Sequence, residues 1–294
     1  MGKSRNNNGN RNGALSSVNQ ETYNQLSSSI TNPTVKQQLD IILDFCNENG
    51  LELQVGKKTV VTGELPSGLT PVDAMVTIYD PKTGKHINIF EDMMVDDTIT
   101  KVNYDNLLNA LRDIQKNTSS SFFNLAGDIN ITKHRPFKWA NEEFLLTGEN
   151  DGFFDPYLPS SINISGQFRH NWDDPTTSTK NLARVMVHEM AHNYDFNVIG
   201  GGQGQGKPSL FTQYGKDGPL KSDGSLERVN PGPTLYSDYN NHEVIAVMAE
   251  MVYDKHVRDD AYIPGGIWPS KYETLVQNYP DLVQETERIL RTEW

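Results

Sequence analysis

The chain has 294 residues, of which 36% are hydrophobic and 22% charged, and its formal net charge is −12. A chain of this length can bury one large core or two closely packed lobes. No apolar run is long enough to predict a membrane span. The acidic balance argues against nucleic acid as a partner, because phosphate binding needs a basic surface. The single cysteine, Cys46, has no partner for an internal disulfide and is predicted to be a buried core residue.

The first 18 residues are rich in Asn, Gly, Ser and Arg, which predicts a disordered polar tail. This segment lacks the apolar stretch of a classical signal peptide. The sequence therefore leaves open a cytoplasmic location and export by another route.

The remainder alternates between helical and extended patterns, which predicts an α+β fold. Helices are expected at 19–49, ending at Gly50, at 104–116, and as one or two packing helices in 270–294. Residues 74–79 and 85–90 read as a hairpin around the turn 80–84, and 128–132 and 161–165 as further strands. We expect an N-terminal α+β region at 19–150 and a second region at 151–294, or one continuous unit from residue 19.

The segment from His188 to His192 has the sequence His-Glu-Met-Ala-His. Two histidines four residues apart project from the same side of a helix and can hold one metal ion. Glu189 would then lie beside the open coordination position, where a carboxylate can take a proton from water. The spacing predicts a zinc site with Glu189 as general base.

The surrounding residues predict one continuous helix over 178–197, capped by Ser178 or Thr179. An apolar stripe is expected to face the core, and the two histidines and Asp195 fall on the neighbouring stripe. Asp195 is predicted either to orient a ligand histidine through its second ring N–H or to be a capping or surface acid near the helix end. The members of the apolar stripe are Val187, Met190, Ala191 and Tyr194.

A catalytic zinc ion normally has three protein ligands, and the third is expected from a later helix. Residues 241–254 are apolar on nearly every side except at Glu243, Glu250 and Asp254, which share one stripe. Such a helix is buried, and buried carboxylates need a cation or hydrogen-bond donors. The spacing alone does not choose between Glu243 and Glu250 as the third ligand.

Two segments, Val187–Asp195 and Tyr236–Glu243, resemble the catalytic domain of anthrax lethal factor and the related Pro-Pro endopeptidases. That family has a Tyr seven residues before the ligand Glu, and Tyr236 stands seven residues before Glu243. The resemblance therefore implies Glu243 as the ligand and Tyr236 as the residue that steadies the developing oxyanion. The family carries another Glu one turn after the ligand, where this chain has Val247, so Glu250 is either a displaced substitute for that acid or the ligand itself.

The resemblance also implies a zincin-like fold of the Glu-ligand (gluzincin) type, with a mixed sheet and the metal helix in an upper lobe and a mostly helical lower lobe. The implied activity is that of a zinc-dependent endopeptidase, secreted or toxin-like, acting on protein or peptide. Separately, we expect the chain to be a monomer. In such folds an edge strand beside the metal helix pairs with the substrate, and 161–165 is either that strand or an ordinary strand of the sheet with no such role. Two rival functions are a catalytically silent binding or structural module and a zinc hydrolase of a non-protein amide.

Overall fold

A computed structural model describes residues 8–139, 151–170, 174–199, 210–211, 241–257 and 276–292. The chain divides into two compact units, each built from more than one stretch of sequence. Unit 1 comprises Met1–Asn109, Asp128–Asp151 and Asn163–Thr179, and unit 2 comprises Ala110–Gly127, Gly152–Ile162 and Lys180–Trp294. Each unit is thus assembled from three separate segments of the chain. The predicted regions 19–150 and 151–294, or one continuous unit from residue 19, stay a prediction.

The elements of the first half of the chain begin with two helices and continue through a sheet. They are α1 (Asn8–Ser27), α2 (Pro33–Asn49), β1 (Glu52–Val55), β2 (Leu69–Pro71), β3 (Val76–Asp80), β4 (Lys85–Ile89), α3 (Glu91–Met94), α4 (Lys101–Asn117), α5 (Ser120–Leu125), β5 (Asp128–Ile131) and β6 (Phe137–Trp139). The later elements are β7 (Gly152–Phe153), β8 (Ser161–Ile164), α6 (Gly166–Arg169), α7 (Pro175–Tyr194), a π-helical turn (Asp195–Ile199), α8 (Asn241–Val257) and α9 (Pro280–Arg291).

Unit 1 is organised around a mixed sheet in which β1, β3 and β4 are antiparallel and β4 and β5 are parallel. The predicted hairpin is present, with Asp80 paired to Lys85 at its turn. The strands predicted at 128–132 and 161–165 are present as β5 and β8. The α+β class is therefore confirmed, and the core-facing residues of the sheet, among them Ile78, Ile87 and Ile129, are almost fully buried.

A row of buried polar side chains crosses the same sheet. Thr77 donates to Asn88 at 3.0 Å, Asn88 donates to Asn130 at 2.9 Å, and Asn130 donates to Asn163 at 3.1 Å. Each of the four is at most 6% exposed. Because buried amides are costly unless they are bonded, this row is stable only in the observed register of the strands.

Helix α1 differs from the disordered tail predicted for residues 1–18, because it begins at Asn8. Its anchor is Asn19, which is fully buried and donates to the side chain of Asn47 and to the carbonyl of Leu51. The backbone N–H of Leu53 donates back to Asn19 at 2.9 Å. A tertiary anchor of this kind overrides the weak helix propensity of the Asn- and Gly-rich sequence.

The single helix predicted at 19–49 is wrong, because the structure has two helices there, α1 and α2, with a break at 28–32. Two other predictions for α2 are confirmed. It ends at Gly50, whose φ of 67° lies in the left-handed region that suits a glycine after the last helical turn. Cys46 is fully buried in the same helix, and this burial raises the pKa of its thiol far above the ordinary value.

Unit 2 is mainly helical and contains α5, most of α7, α8 and α9, together with β7 and the first half of β8. Every residue of the apolar stripe predicted on α7 is at most 2% exposed. Helix α8 is buried on nearly all sides, as predicted from its composition. No helix within the described ranges has both the length and the apolarity of a membrane span.

Strand β8 has a neighbour on both sides. Within unit 1 the amide N–H of Thr132, just after β5, donates to the carbonyl of Ile164 at 3.2 Å, and on its other side β8 is followed by β7. The edge of the sheet is therefore β7. The prediction that residues 161–165 form the substrate-pairing edge strand is therefore wrong, because β8 lies between β5 and β7.

Candidate metal centre

Helix α7 begins earlier than predicted. It starts at Pro175, and the carboxylate of Asp174 accepts hydrogen bonds from the amides of Thr176 and Thr177. Asp174, rather than Ser178 or Thr179, is therefore the cap, and Pro at the first helical position is compatible with that start. The helix is uninterrupted through both histidines, so the spacing assumed from the sequence holds.

His188 and His192 turn their Nε2 atoms toward each other at 3.2 Å. Their rings meet nearly edge to face, at an interplanar angle of 79°. The imidazole nitrogens of two histidines four residues apart on one helix can thus bind the same metal ion, as the motif predicted.

Glu243, in the first turn of α8, completes a group of three. Its Oε2 atom lies 3.3 Å from Nε2 of His188 and 3.5 Å from Nε2 of His192. Two ligands of a tetrahedral zinc ion lie about 3.4 Å apart, as follows from bond lengths of about 2.0–2.1 Å. The three ligand atoms therefore have the mutual spacing that one zinc ion imposes, and the donor set of two imidazoles and a carboxylate suits that metal.

The group is partly open to solvent. The side chains of His192 and Glu243 are 14% and 15% exposed. Within the described part of the chain the group has three members. Structural zinc sites are usually closed by four protein ligands, whereas catalytic sites keep a position free.

Glu250 lies on the other edge of the His188 ring. Its Oε2 atom is 3.2 Å from Nδ1 of His188, and its Oε1 atom is 2.5 Å from Nε of Arg184. The structure thus brings Glu243, and not Glu250, to the two Nε2 atoms. Glu250 has instead the position of a carboxylate that accepts the second ring N–H of a ligand histidine.

The two carboxylates control the charge of His188 in the metal-free protein. Burial alone opposes the imidazolium, but hydrogen bonds to Glu243 and Glu250 outweigh it and raise the pKa of His188 to about 10. Burial would likewise raise the pKa of Glu243, but its hydrogen bonds to His188 and His192 hold that pKa well below the ordinary range. The group therefore favours a positive charge among its ligand atoms, which a metal cation supplies as well as a proton does.

Glu189, the predicted general base, is 5% exposed. Burial raises the pKa of its carboxyl, and the neighbouring charges of His188 and His192 oppose that rise. The backbone of β7 runs close beside it, because a Cβ atom added to Gly152 would lie 3.1 Å from Oε1 of Glu189 and 3.0 Å from Val185. An added Cβ would therefore require Glu189 or Val185 to shift by a few tenths of an ångström.

The segment that carries β7 is tied to α7 further along. The side-chain amides of Asn193 and Asn197 both donate to the carbonyl of Pro159, at 2.8 and 2.9 Å. Phe154 also packs against Phe196, with ring centroids 5.5 Å apart. These contacts fix the edge strand against the helix that supplies Glu189.

Asp195 contacts a histidine that the sequence did not single out. Its Oδ2 atom lies 3.0 Å from Nδ1 of His242, the residue before Glu243, and Asp195 is 5% exposed. The partner found for Asp195 is thus neither His188 nor His192, so the prediction that it orients a ligand histidine does not describe this contact. It is also not a surface acid.

Arg184, Gly152 and His242 were the residues that sequence reasoning missed. Arg184 carried a usable signal, since it stands four residues before His188 and eight before His192 on one stripe of α7. Gly152 and His242 carried none, because their positions depend on contacts between distant parts of the chain. Tyr236 and the Gly-rich segment 200–206 lie outside the described residues.

No family model, curated protein or solved structure matches this chain. The resemblance to the lethal factor and Pro-Pro endopeptidase group therefore stays a prediction. The function has to be argued from the geometry of the site.

Proposed function

We propose that this chain is a zinc-dependent endopeptidase of the zincin type, with His188, His192 and Glu243 as metal ligands and Glu189 as general base. The observation that carries the proposal is the convergence of three ligand atoms at 3.2–3.5 Å from one another. Two of them belong to histidines on α7, the helix that also bears Glu189, and the third belongs to Glu243 on α8. A zinc ion held there would act as a Lewis acid that polarises a carbonyl group and acidifies water.

The chain's own residues would then move the proton. Glu189 accepts a proton from the attacking water on its carboxylate and donates it to the nitrogen of the leaving amine. Burial, which raises the pKa of this carboxyl, brings it closer to the operating pH and suits it to both steps. Glu250 accepts the Nδ1–H of His188, which leaves Nε2 of His188 with a lone pair directed into the group. Tyr236 keeps its predicted role as donor to the oxyanion.

The first test is the metal content of the purified protein, measured by elemental mass spectrometry. We expect about one zinc per chain. A metal-free protein that also fails to take up added zinc would refute the proposal.

The second test replaces the proposed base. Glu189→Gln should retain zinc and lose hydrolysis of a peptide library, because the amide cannot accept the proton. Glu21→Gln, on the exposed surface of α1, is the matched control and should behave as wild type. Turnover at the wild-type rate in Glu189→Gln would end the mechanism.

Zinc binding without cleavage of any peptide would instead favour the silent module. Cleavage confined to a non-protein amide would favour the second rival. Export, a monomeric state and the absence of nucleic-acid binding stay predictions from the sequence.

A further inference from the structure

The second ring nitrogen of His188, Nδ1, contacts Glu250, and Glu250 in turn contacts the positively charged Arg184. Glu250 bridges two residues with its two oxygens, one toward His188 at 3.2 Å and one toward Arg184 at 2.5 Å. The side chains of Arg184 and Glu250 are only 13% and 6% exposed. Solvation by water therefore contributes little to stabilising either charge.

The group around the metal position is rich in negative charge. Glu189, Glu243 and Glu250 are three carboxylates within one buried region, and buried carboxylates are costly unless a cation compensates them. An arginine stays protonated at any working pH, so Arg184 supplies a compensating charge that does not depend on the state of the histidines. Its position one turn before His188 on α7 allows it to hold the carboxylate against that ring.

We propose that Arg184 is a positioning residue that acts through Glu250 to keep His188 in the orientation and tautomer of a metal ligand. The proposal rests on the proposed function, because it assigns Arg184 a part in the same zinc site. Without the guanidinium, Glu250 is free to turn away from Nδ1, and His188 loses the acceptor that directs its Nε2 lone pair to the metal.

The experiment is a double-mutant cycle on zinc affinity, measured by competition with a chelator of known affinity. Arg184→Met and Glu250→Gln should each weaken zinc binding by about 10- to 100-fold, the range for residues that support a ligand. The double variant should be no weaker than Glu250→Gln alone, because Arg184 acts only through that carboxylate. Arg184→Lys should recover part of the loss, since an ammonium can pair with one oxygen but cannot reproduce the guanidinium geometry.

A spectroscopic readout separates this role from a general loss of stability. The visible absorption bands of the cobalt-substituted protein should shift in Arg184→Met and Glu250→Gln and stay unchanged in Arg169→Met. Arg169 is the matched control, because it is also partly buried and lies 3.9 Å from the carboxylate of Asp96 in unit 1. If Arg184→Met does not fold, Arg184→Gln takes its place in the cycle.

Zinc affinity of Arg184→Met equal to wild type, or losses that add in the double variant, would overturn the inference while leaving the proposed function intact. A wild-type protein that binds zinc but cleaves no peptide would refute the function, and the cycle would still decide the part of Arg184. A wild-type protein that binds no zinc would refute both.

Discussion

Removal of the metal should reverse the way in which this protein's stability depends on pH. In the metal-free protein the pKa of His188 is raised to about 10 by Glu243 and Glu250, from an ordinary value of about 6.5. A group whose pKa is higher in the folded state stabilises that state fully below its unfolded pKa. This contribution is lost as the pH rises from there through the folded pKa.

The magnitude follows from the size of the shift. Across the window from about pH 7 to 9 the folded state holds one more proton at His188 than the unfolded state, so its free energy of unfolding falls by about 1.4 kcal/mol per pH unit. The full contribution is on the order of 5 kcal/mol. With zinc bound the proton is displaced, and because metal binding releases protons the zinc-dependent stabilisation should instead grow with pH.

The assay is urea denaturation of chelator-treated protein at a series of pH values, compared with His188→Gln under the same conditions. The difference between the two proteins is the quantity to use, because Lys85 also titrates in this range. Burial lowers the pKa of Lys85 to about 8, and its contribution has the opposite sign but is common to both proteins. A difference that does not change between pH 7 and 9, or a His188 imidazole that NMR shows to be neutral at pH 8 without metal, would refute the reasoning.

Three further predictions follow from the contacts. Gly152→Ala should reduce turnover by roughly tenfold, because the added Cβ displaces the proposed base. Peptide cleavage and unfolding are measured together. The control is Gly13→Ala, where an added Cβ meets nothing within 4 Å. Asn130→Leu should lower the free energy of unfolding by about 3 kcal/mol in urea denaturation, because it removes the buried hydrogen bonds that Asn130 makes with Asn88 and Asn163; a loss below about 1 kcal/mol would contradict the account of the polar row. Asp195→Ala should weaken zinc binding severalfold by releasing His242, an equal loss is expected in His242→Ala, and unchanged affinity in both would show that this contact does not support the site.

The metal helix could be predicted because the patterns that indicate it lie within its own sequence. The motif, the apolar stripe and the polar stripe are all spacings within one helix, and Pro175 and Asp174 shift only its start. The burial of α8 could also be predicted from its own residues, because a helix that is apolar on nearly every side has no polar face to expose to water. Which strand forms the edge of the sheet could not be predicted locally, because a strand is inner or outer according to which other strands join the sheet.

The choice between Glu243 and Glu250 could not be made from spacing. The two residues are seven apart and lie on one stripe of α8, so either could face the histidines. What decides between them is the direction in which α8 passes α7, and that is a property of the folded pair. The beginning of α1 is a similar case, because contacts with residues near position 50 stabilise a segment whose own composition predicts disorder.

The direction of α8 is visible in the order of its contacts with α7. As the chain advances along α7 and the turn that follows it, the partners on α8 move steadily backward, so the two helices are antiparallel at the site. The contacts run Arg184–Glu250, His188–Glu250, His188–Glu243, His192–Glu243 and Asp195–His242.

This order also shows what the sequence could have indicated. A parallel alignment of the two polar stripes would set Asp195 toward Glu250, acid against acid, in a buried region where unpaired charge is costly. The antiparallel alignment sets Arg184 toward Glu250 and leaves Glu243 for the histidines. Charge complementarity between the stripes therefore places Glu243, the proposed ligand, at the histidines, and it does so through Arg184, which the zinc motif alone does not indicate.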